Sequence, residues 1–298
     1  MRLKQLQHLV ALAEHGSFVR AAQAVHLSQP AFSRSIEALE QALDARLVDR
    51  AYRAAHFTPA GDRALARARA LLADAQSLRD EVQQLQGLEA GSLRVGLGPF
   101  AAGMLGRTAL AELLRRHPKI AVHAEMADAA TLCERLRRRE LDLFVADTRD
   151  CVRQSLLCID PLPPVPVDFF VRAGHLLAAL AEGGAATFAQ LRAYPVGGPS
   201  LPLDVAQFFD AKAGPDLFSV VCDDPAALRQ IALSADAAIL APNAAAFGRD
   251  TQPLVALRIQ GLEAMHTHYG IITLAGHAPS AAATAYARCV SAVAGGGR

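Results

Sequence analysis

A surplus of charge is the first thing this chain lacks. Its 298 residues hold 30 Lys and Arg against 29 Asp and Glu, a net charge of +1. No global field therefore recruits nucleic acid or an anionic membrane, and any such partner must meet a local basic surface. Long apolar runs are missing too: none approaches the roughly 20 residues that a membrane span needs, so no membrane partner is expected. The start, Met1-Arg2-Leu3-Lys4-Gln5, has neither an apolar secretion core nor a small-residue cleavage site, which points to a cytoplasmic chain. Cysteine is scarce. Cys133, Cys151, Cys158, Cys222 and Cys289 are widely spaced and odd in number, which excludes a disulfide framework and suits mostly buried thiols in a reducing compartment. Cys222 in particular reads as a buried small hydrophobe. Aromatic residues make up only 5% of the chain, yet 52% is hydrophobic, too apolar for a disordered protein. At roughly 100–200 residues per domain, the length suggests two domains or three smaller units.

Catalytic signatures are absent as well. No G-x-S-x-G, H-E-x-x-H, C-x-x-C or G-x-x-x-x-G-K-[ST] pattern occurs. Gly96-Leu-Gly98-Pro99 with Gly103 is a poor phosphate loop, because the third glycine is misplaced and Pro99 removes an amide. His266-Thr-His268 could put both imidazoles on one strand face, and reads as a surface or satisfied pair sooner than a metal site. The expectation is a protein that is not an enzyme and holds no cofactor and no metal.

What is present falls into three zones. Residues 1–58 read as short helices. Leu3, Leu6, Leu9, Val10 and Ala13 recur at helical spacing up to Gly16. Ser17 is placed to cap a second helix that buries Phe18, Ala21, Ala22 and Val25. After a turn at His26-Leu27, Ser28 can cap a third helix that tolerates Pro30 in its first turn. There Phe32, Ile36, Leu39 and Leu43 share one face, and Gln29, Pro30, Ser33 and Arg34 lie at the outer start. That is helix-turn-helix geometry, in which the first turn of the second helix reaches base edges in the major groove. Gln29 suits adenine, Arg34 guanine or a phosphate, and Ser17 and Ser33 phosphates. Arg46, Arg50, Arg53 and His56 surround a segment that could form a β-wing over the DNA backbone. The alternative is a small helical module that mediates protein contacts, attached to a cytosolic small-molecule-binding or metabolic protein.

Residues 59–87 read as one long helix, capped by Thr58 and started by Pro59. Leu65, Ala68, Leu72, Ala75, Leu78, Val82 and Leu85 form a near-heptad apolar seam. The seam either pairs with its copy in a homodimer or packs on the chain's own C-terminal domain. From 91 to 298, strand candidates (Leu93–Gly96, Ala121–Met126, Leu141–Ala146, Asp168–Arg172, Phe218–Cys222, Ala238–Leu240, Leu254–Leu257, Tyr269–Leu274) alternate with helical runs. Such alternation implies parallel strands with crossover helices and a ligand site beyond the strands' carboxyl ends. The stretch Pro161-Leu-Pro-Pro-Val-Pro166 reads as a hinge between two lobes, one of about 91–162 and 267–298, the other about 163–266.

The run Phe18-Val-Arg-Ala-Ala, then Leu27-Ser-Gln-Pro-Ala-Phe-Ser-Arg-Ser-Ile-Glu-Ala-Leu-Glu40, then Leu47, Arg50, Arg53 and Phe57-Thr-Pro-Ala-Gly61, resembles LysR-type transcriptional regulators. Gly91-Ser-Leu-Arg-Val-Gly96 and Leu136 with Leu141-Asp-Leu143 are similar to strand entries of that family's effector domain. The resemblance implies a mixed fold: an N-terminal all-α winged helix-turn-helix, a long linker helix, and a C-terminal α/β effector domain of two Rossmann-like, periplasmic-binding-protein-like lobes. It implies a double-stranded DNA operator, a small-molecule effector, a homodimer or homotetramer, and RNA polymerase as partners. By position it places Ser28, Gln29, Pro30, Ser33 and Arg34 on DNA, with Arg50 and Arg53 in the wing. It draws the effector site from Gly98, Pro99, Phe100, Ala101, Ala102, Thr131, Pro199, Ser200, Leu201, Pro202 and Thr267. Two departures stand out: Val48 where an aromatic residue is usual, and Gly98-Pro99-Phe100-Ala101 where a Ser or Thr often holds a ligand carboxylate. The second argues for a more apolar ligand, as Asp223 and Asp224 do if they rim the cleft, whereas a helix starting near Thr131 favours negative charge.

Overall fold

In the computed structural model the described residues are 1–49, 55–85, 91–149, 151, 156–182, 185–201, 203–243, 254–262 and 264–296. They form two compact units, one of Met1–Gly91 with Glu134–Leu141, the other of Ser92–Cys133 with Asp142–Arg298.

The first unit begins with α1 (Leu3–His15), which Gly16 closes in the left-handed conformation at φ 62°, the usual helix stop. Then come α2 (Phe18–Ala24) and α3 (Gln29–Leu43), joined through His26, itself at φ 55°. Leu6, Leu9, Leu12, Ala21, Ala22, Phe32, Ile36 and Leu39 make the core. Leu43, expected on the buried face of α3, is 40% exposed, because Asp44 turns left-handed there and ends the helix. Strands β1 (Val48–Asp49) and β2 (His56–Phe57) pair antiparallel as the base of the wing. Its tip, with Arg50 and Arg53, lies outside the described residues.

Helix α4 (Pro59–Leu85) follows. Thr58 Oγ1 accepts from Gly61 N at 3.0 Å and donates to Arg46 O at 2.7 Å, so one hydroxyl caps the helix and ties it to the chain before the wing. Gly61 is required by close approach: a Cβ there would stand 2.0 Å from Leu47 O. The apolar seam divides along its length. Ala68 is fully buried, with Leu65 and Leu72 packed against the same helix-turn-helix core, which corrects the expectation that all seven seam residues serve dimerisation. Ala75 is half-buried. Leu78 and Val82 are 61% and 45% exposed, and the Leu85 side chain lies outside the description.

The second unit contains two sheets. Strands β3 (Gly91–Leu97), β4 (Ile120–Met126), β5 (Leu143–Asp147), β6 (Leu157–Pro161) and β13 (Tyr269–Leu274) lie in the order β4-β3-β5-β13-β6. Strands β7 (Val165–Arg172), β8 (Val196–Gly198), β9 (Val220–Val221), β10 (Ala238–Pro242) and β11 (Leu254–Leu257) lie in the order β11-β7-β10-β8-β9, with β12 (Met265–Thr267) also on β7. Both sheets are mixed, not parallel: β13 runs antiparallel to β5 and β6, and β7 antiparallel to β10, β11 and β12. The reason is the path of the chain. It leaves the first sheet after β6 and returns between β12 and β13, so each sheet takes a strand on the way through. Helices cover the faces: α5 (Pro99–Ala101), a π-helical turn (Ala102–Gly106), α6 (Arg107–Arg116), α7 (Ala129–Arg137), α8 (Leu176–Glu182), α9 (Phe188–Leu191), α10 (Leu203–Ala213), α11 (Pro225–Ser234) and α12 (Ala281–Gly295). Cys133, Cys151 and Cys289 are buried and Cys158 exposed. Cys222 is half-exposed, not buried, because it follows the short strand β9 onto the rim of a cleft.

Candidate functional site

The first candidate is the exposed start of α3. Ser28 is the N-cap and accepts from Ala31 N at 3.4 Å, and Pro30 sits in the first turn. Phe32, Ile36 and Leu39 are fully buried on one side, which holds Ser28, Gln29, Pro30 and Arg34 exposed on the other. Ser33 is half-buried and donates to Glu37 Oε1 at 3.3 Å. Ser17 occupies the N-cap of α2 without a side-chain cap bond, contrary to the expected cap. Two positioning residues were not foreseen. His8 Nδ1 lies 2.7 Å from Ser35 Oγ with its ring against Phe32, which fixes α1 to α3. Burial first, and the Lys4 charge second, hold its pKa below the ordinary 6.5. Glu40 Oε1 accepts from Leu47 N and Val48 N at 2.8 and 3.2 Å, which joins α3 to the wing base.

The second candidate is a cavity of about 650 Å³ in the second unit. It lies at the carboxyl ends of β3, β5, β8 and β10, where open α/β sheets hold ligands. Gly98 N donates to Val145 O at 2.8 Å, and a Cβ on Gly98 would come within 3.1 Å of Ala146 Cβ, so the first loop hugs β5. Of the expected residues, Gly98, Pro99, Phe100, Ala101, Pro199, Ser200, Leu201 and Thr267 line the cavity, with Asp223 and Asp224. Ala102 and Thr131 are not among its lining residues: Ala102 is buried in the core beneath, and Thr131 is spent on Asp128. Pro202 lies outside the described residues. Met126, Asp128, Asp147, Arg149, Val205 and Met265 also line it and were missed. The available signal was position, since Asp128 and Asp147 stand just beyond predicted strand ends.

Most of the wall's carboxylates are bonded to neighbouring polar groups. Asp128 accepts from Thr131 N and Oγ1 at 2.9 and 2.7 Å, which holds its pKa below the usual carboxylate value. Asp147 accepts from Arg149 Nε and Nη2 at 2.9 and 2.8 Å and from Thr267 Oγ1. Burial opposes its ionisation, but the Arg149 and Thr267 hydrogen bonds outweigh burial and keep the pKa low. Burial first, then the Asp147 charge, push the Tyr269 phenol up. Asp223 accepts from Ser200 N and Oγ at 2.8 and 2.9 Å, and Asp224 from Ala226 N at 2.9 Å. Among the described residues, no group of three His, Cys, Asp or Glu side chains is placed to hold a metal ion, and no helix is long and apolar enough to cross a membrane.

Comparison with known proteins matches both regions. Residues 3–62 fit the family described as bacterial regulatory helix-turn-helix protein, lysR family, and residues 86–295 fit the LysR substrate binding domain. The SDS degradation transcriptional activation protein of a Pseudomonas species is 39% identical over 95% of this chain and 93% of its own. Among solved structures, a variant of full-length OxyR from Pseudomonas aeruginosa superposes with a TM-score of 0.73 at 22% identity, covering 98% of both chains. Full-length CbnR, solved with its target DNA, gives 0.64 at 22% identity over 97% of this chain and all of that one. At such identity these two speak for the fold. The whole chain therefore belongs to the LysR family, as a transcriptional regulator with a DNA-binding helix-turn-helix and an effector-binding domain.

Proposed function

We propose that this regulator binds an operator as a homodimer or homotetramer and responds to a small molecule held between its two α/β lobes. Residues 1–58 read the DNA, 59–87 link and dimerise, and 91–298 bind the effector. Gln29 and Arg34, with Pro30 beside them, face bases in the major groove, Ser17 and Ser33 face phosphates, Ser28 stands at the DNA-facing start of the same helix, and Arg50 and Arg53 belong to the wing over the backbone. The observation that carries this is the exposure of Gln29, Pro30 and Arg34 on a helix whose other face is fully buried. The seam's exposed half, Leu78 and Val82, supports pairing of α4 with its copy. The cleft's carboxylates cap turns and helices, a use that supports ligand binding without turnover, and the chain acts where the chromosome is, in the cytoplasm. A ligand shifts the protein only by its different affinity for the two lobe arrangements. The readout is a change in operator bending, which costs about 1–6 kcal/mol to impose.

The test is fluorescence anisotropy of the full chain on duplex from upstream of its own gene and on random duplex. Arg34→Ala weakens the specific duplex by about 1–3 kcal/mol and flattens base preference, whereas Arg53→Ala weakens both duplexes alike. Equal losses on both duplexes for Arg34→Ala would overturn the assignment.

A further inference from the structure

The cleft's wall carries information about the charge of what enters it. Helix N-termini and turn amides beyond strand ends are the places where this kind of fold holds anions. In this chain three of those places are taken by its own carboxylates, while the helix start at Pro99 carries no side-chain cap. Thr131 N and Oγ1 at the start of α7 are bonded to Asp128. Ser200 N and Oγ, after β8, are bonded to Asp223, and Ala226 N in the first turn of α11 to Asp224. In the first loop, Pro99 has no N–H to offer. The wall's guanidinium, Arg149, directs Nε and Nη2 at Asp147. Among the described residues, four carboxylates thus share the lining with one guanidinium and the His266 imidazole, and much of the remaining wall is apolar, from Phe100, Met126, Leu201, Val205, Leu240 and Met265.

An anion entering this space meets an excess of carboxylates and finds the donors at the starts of α7 and α11, after β8 and on Arg149 already engaged. It loses its hydration without replacement. An apolar body loses nothing by entering, and a cavity of about 650 Å³ is of the size that encloses a small organic ligand. A hydroxyl or ammonium head gains from the lone pairs that the carboxylates keep in excess of their present bonds.

We propose that the cleft selects an apolar molecule with a neutral or cationic head group and rejects carboxylates, sulfates and phosphates of the same size. The proposal rests on reading this cleft as the effector site, and it deepens that reading by naming the ligand's charge class.

Isothermal titration calorimetry of the full-length protein at pH 7 with octan-1-ol, octylamine and octanoate tests it, because the three probes share a chain and differ in the charge of the head. Octanol and octylamine bind, octylamine at least as tightly as octanol, and octanoate binds at least tenfold more weakly. Octanoate binding as tightly as octanol overturns the proposal, and so does failure of all three to bind. Asp147→Asn, which releases Arg149 from its partner, narrows the gap between octanoate and octanol severalfold. Asp223→Asn does the same from the opposite lobe, should the first variant fold poorly. An unchanged gap in both folded variants counts against the mechanism. Salt-dependent duplex binding measured on the same preparations reports separately on the regulator reading: its loss strikes that reading, whereas a wrong probe ranking with DNA binding intact strikes only the charge class.

Discussion

Glu40, at the end of α3, is the acceptor for two successive backbone amides, those of Leu47 and Val48. Removing it leaves part-buried donors short of an acceptor, at about 1–3 kcal/mol. Glu40→Ala therefore lowers the thermal midpoint of the N-terminal unit clearly and Glu40→Gln only slightly. Equal midpoints for the two variants would show that the carboxylate does not anchor the wing base. Gly61→Ala acts nearby by collision, since the new Cβ meets the Leu47 carbonyl at 2.0 Å and the helix must move away from the segment that leads into β1. Overpacking of this kind costs about 1–3 kcal/mol, seen as a lower denaturant midpoint. His8 adds a pH dependence. Its pKa is lowered in the folded chain from the ordinary 6.5, so just below that pH the unfolded state binds more protons. Stability then falls as pH drops through the window between 6.5 and the lowered folded value, and its contribution is level below that. His8→Gln flattens this part of the profile; parallel urea midpoints for the two proteins across pH 5–8, a range of about three units around the histidine pKa, would remove His8 from the account. Ser28, Pro30 and Gly16 were legible in the sequence because caps and turns obey rules that act within four residues. His8 with Ser35, and Thr267 with Asp147, were not, because their partners are distant in the chain and no spacing rule connects them.

For elements, the lesson of α4 is that periodicity reveals an apolar stripe without saying what covers it. Ala68 went to the chain's own core, while Leu78 stayed 61% exposed. A buried leucine is worth about 1.5–3 kcal/mol, and the symmetric helix pair proposed above would lose it twice. Leu78→Asp consequently weakens self-association by more than tenfold in sedimentation of the full chain, with the helix-turn-helix core intact by circular dichroism. Unchanged association would assign the oligomer to another surface. The strands that the sequence did not disclose, β6, β8 and β12, are three to five residues long. Two of them carry proline or glycine, as in Leu157–Pro161 and Val196–Gly198, so they are strands because of their neighbours in the sheet and not through intrinsic preference. The antiparallel members were hidden for a related reason: alternation of strand and helix says nothing about a chain that crosses from one sheet to the other and back.

For the whole molecule, the near balance of charge has a measurable result. DNA affinity comes from a local surface, so the logarithm of the binding constant falls linearly with the logarithm of salt, at a slope set by the few phosphates neutralised. Arg53→Ala reduces that slope by about one; an unaltered slope would place Arg53 away from the backbone.

The return of the chain through β13 has a temporal consequence. The strands β7 to β12 leave the ribosome as one consecutive stretch, whereas β6 has its partner only in β13. The half of the effector domain synthesised first is thus the half finished last, its sheet standing open between β5 and β6 until Leu274 has emerged.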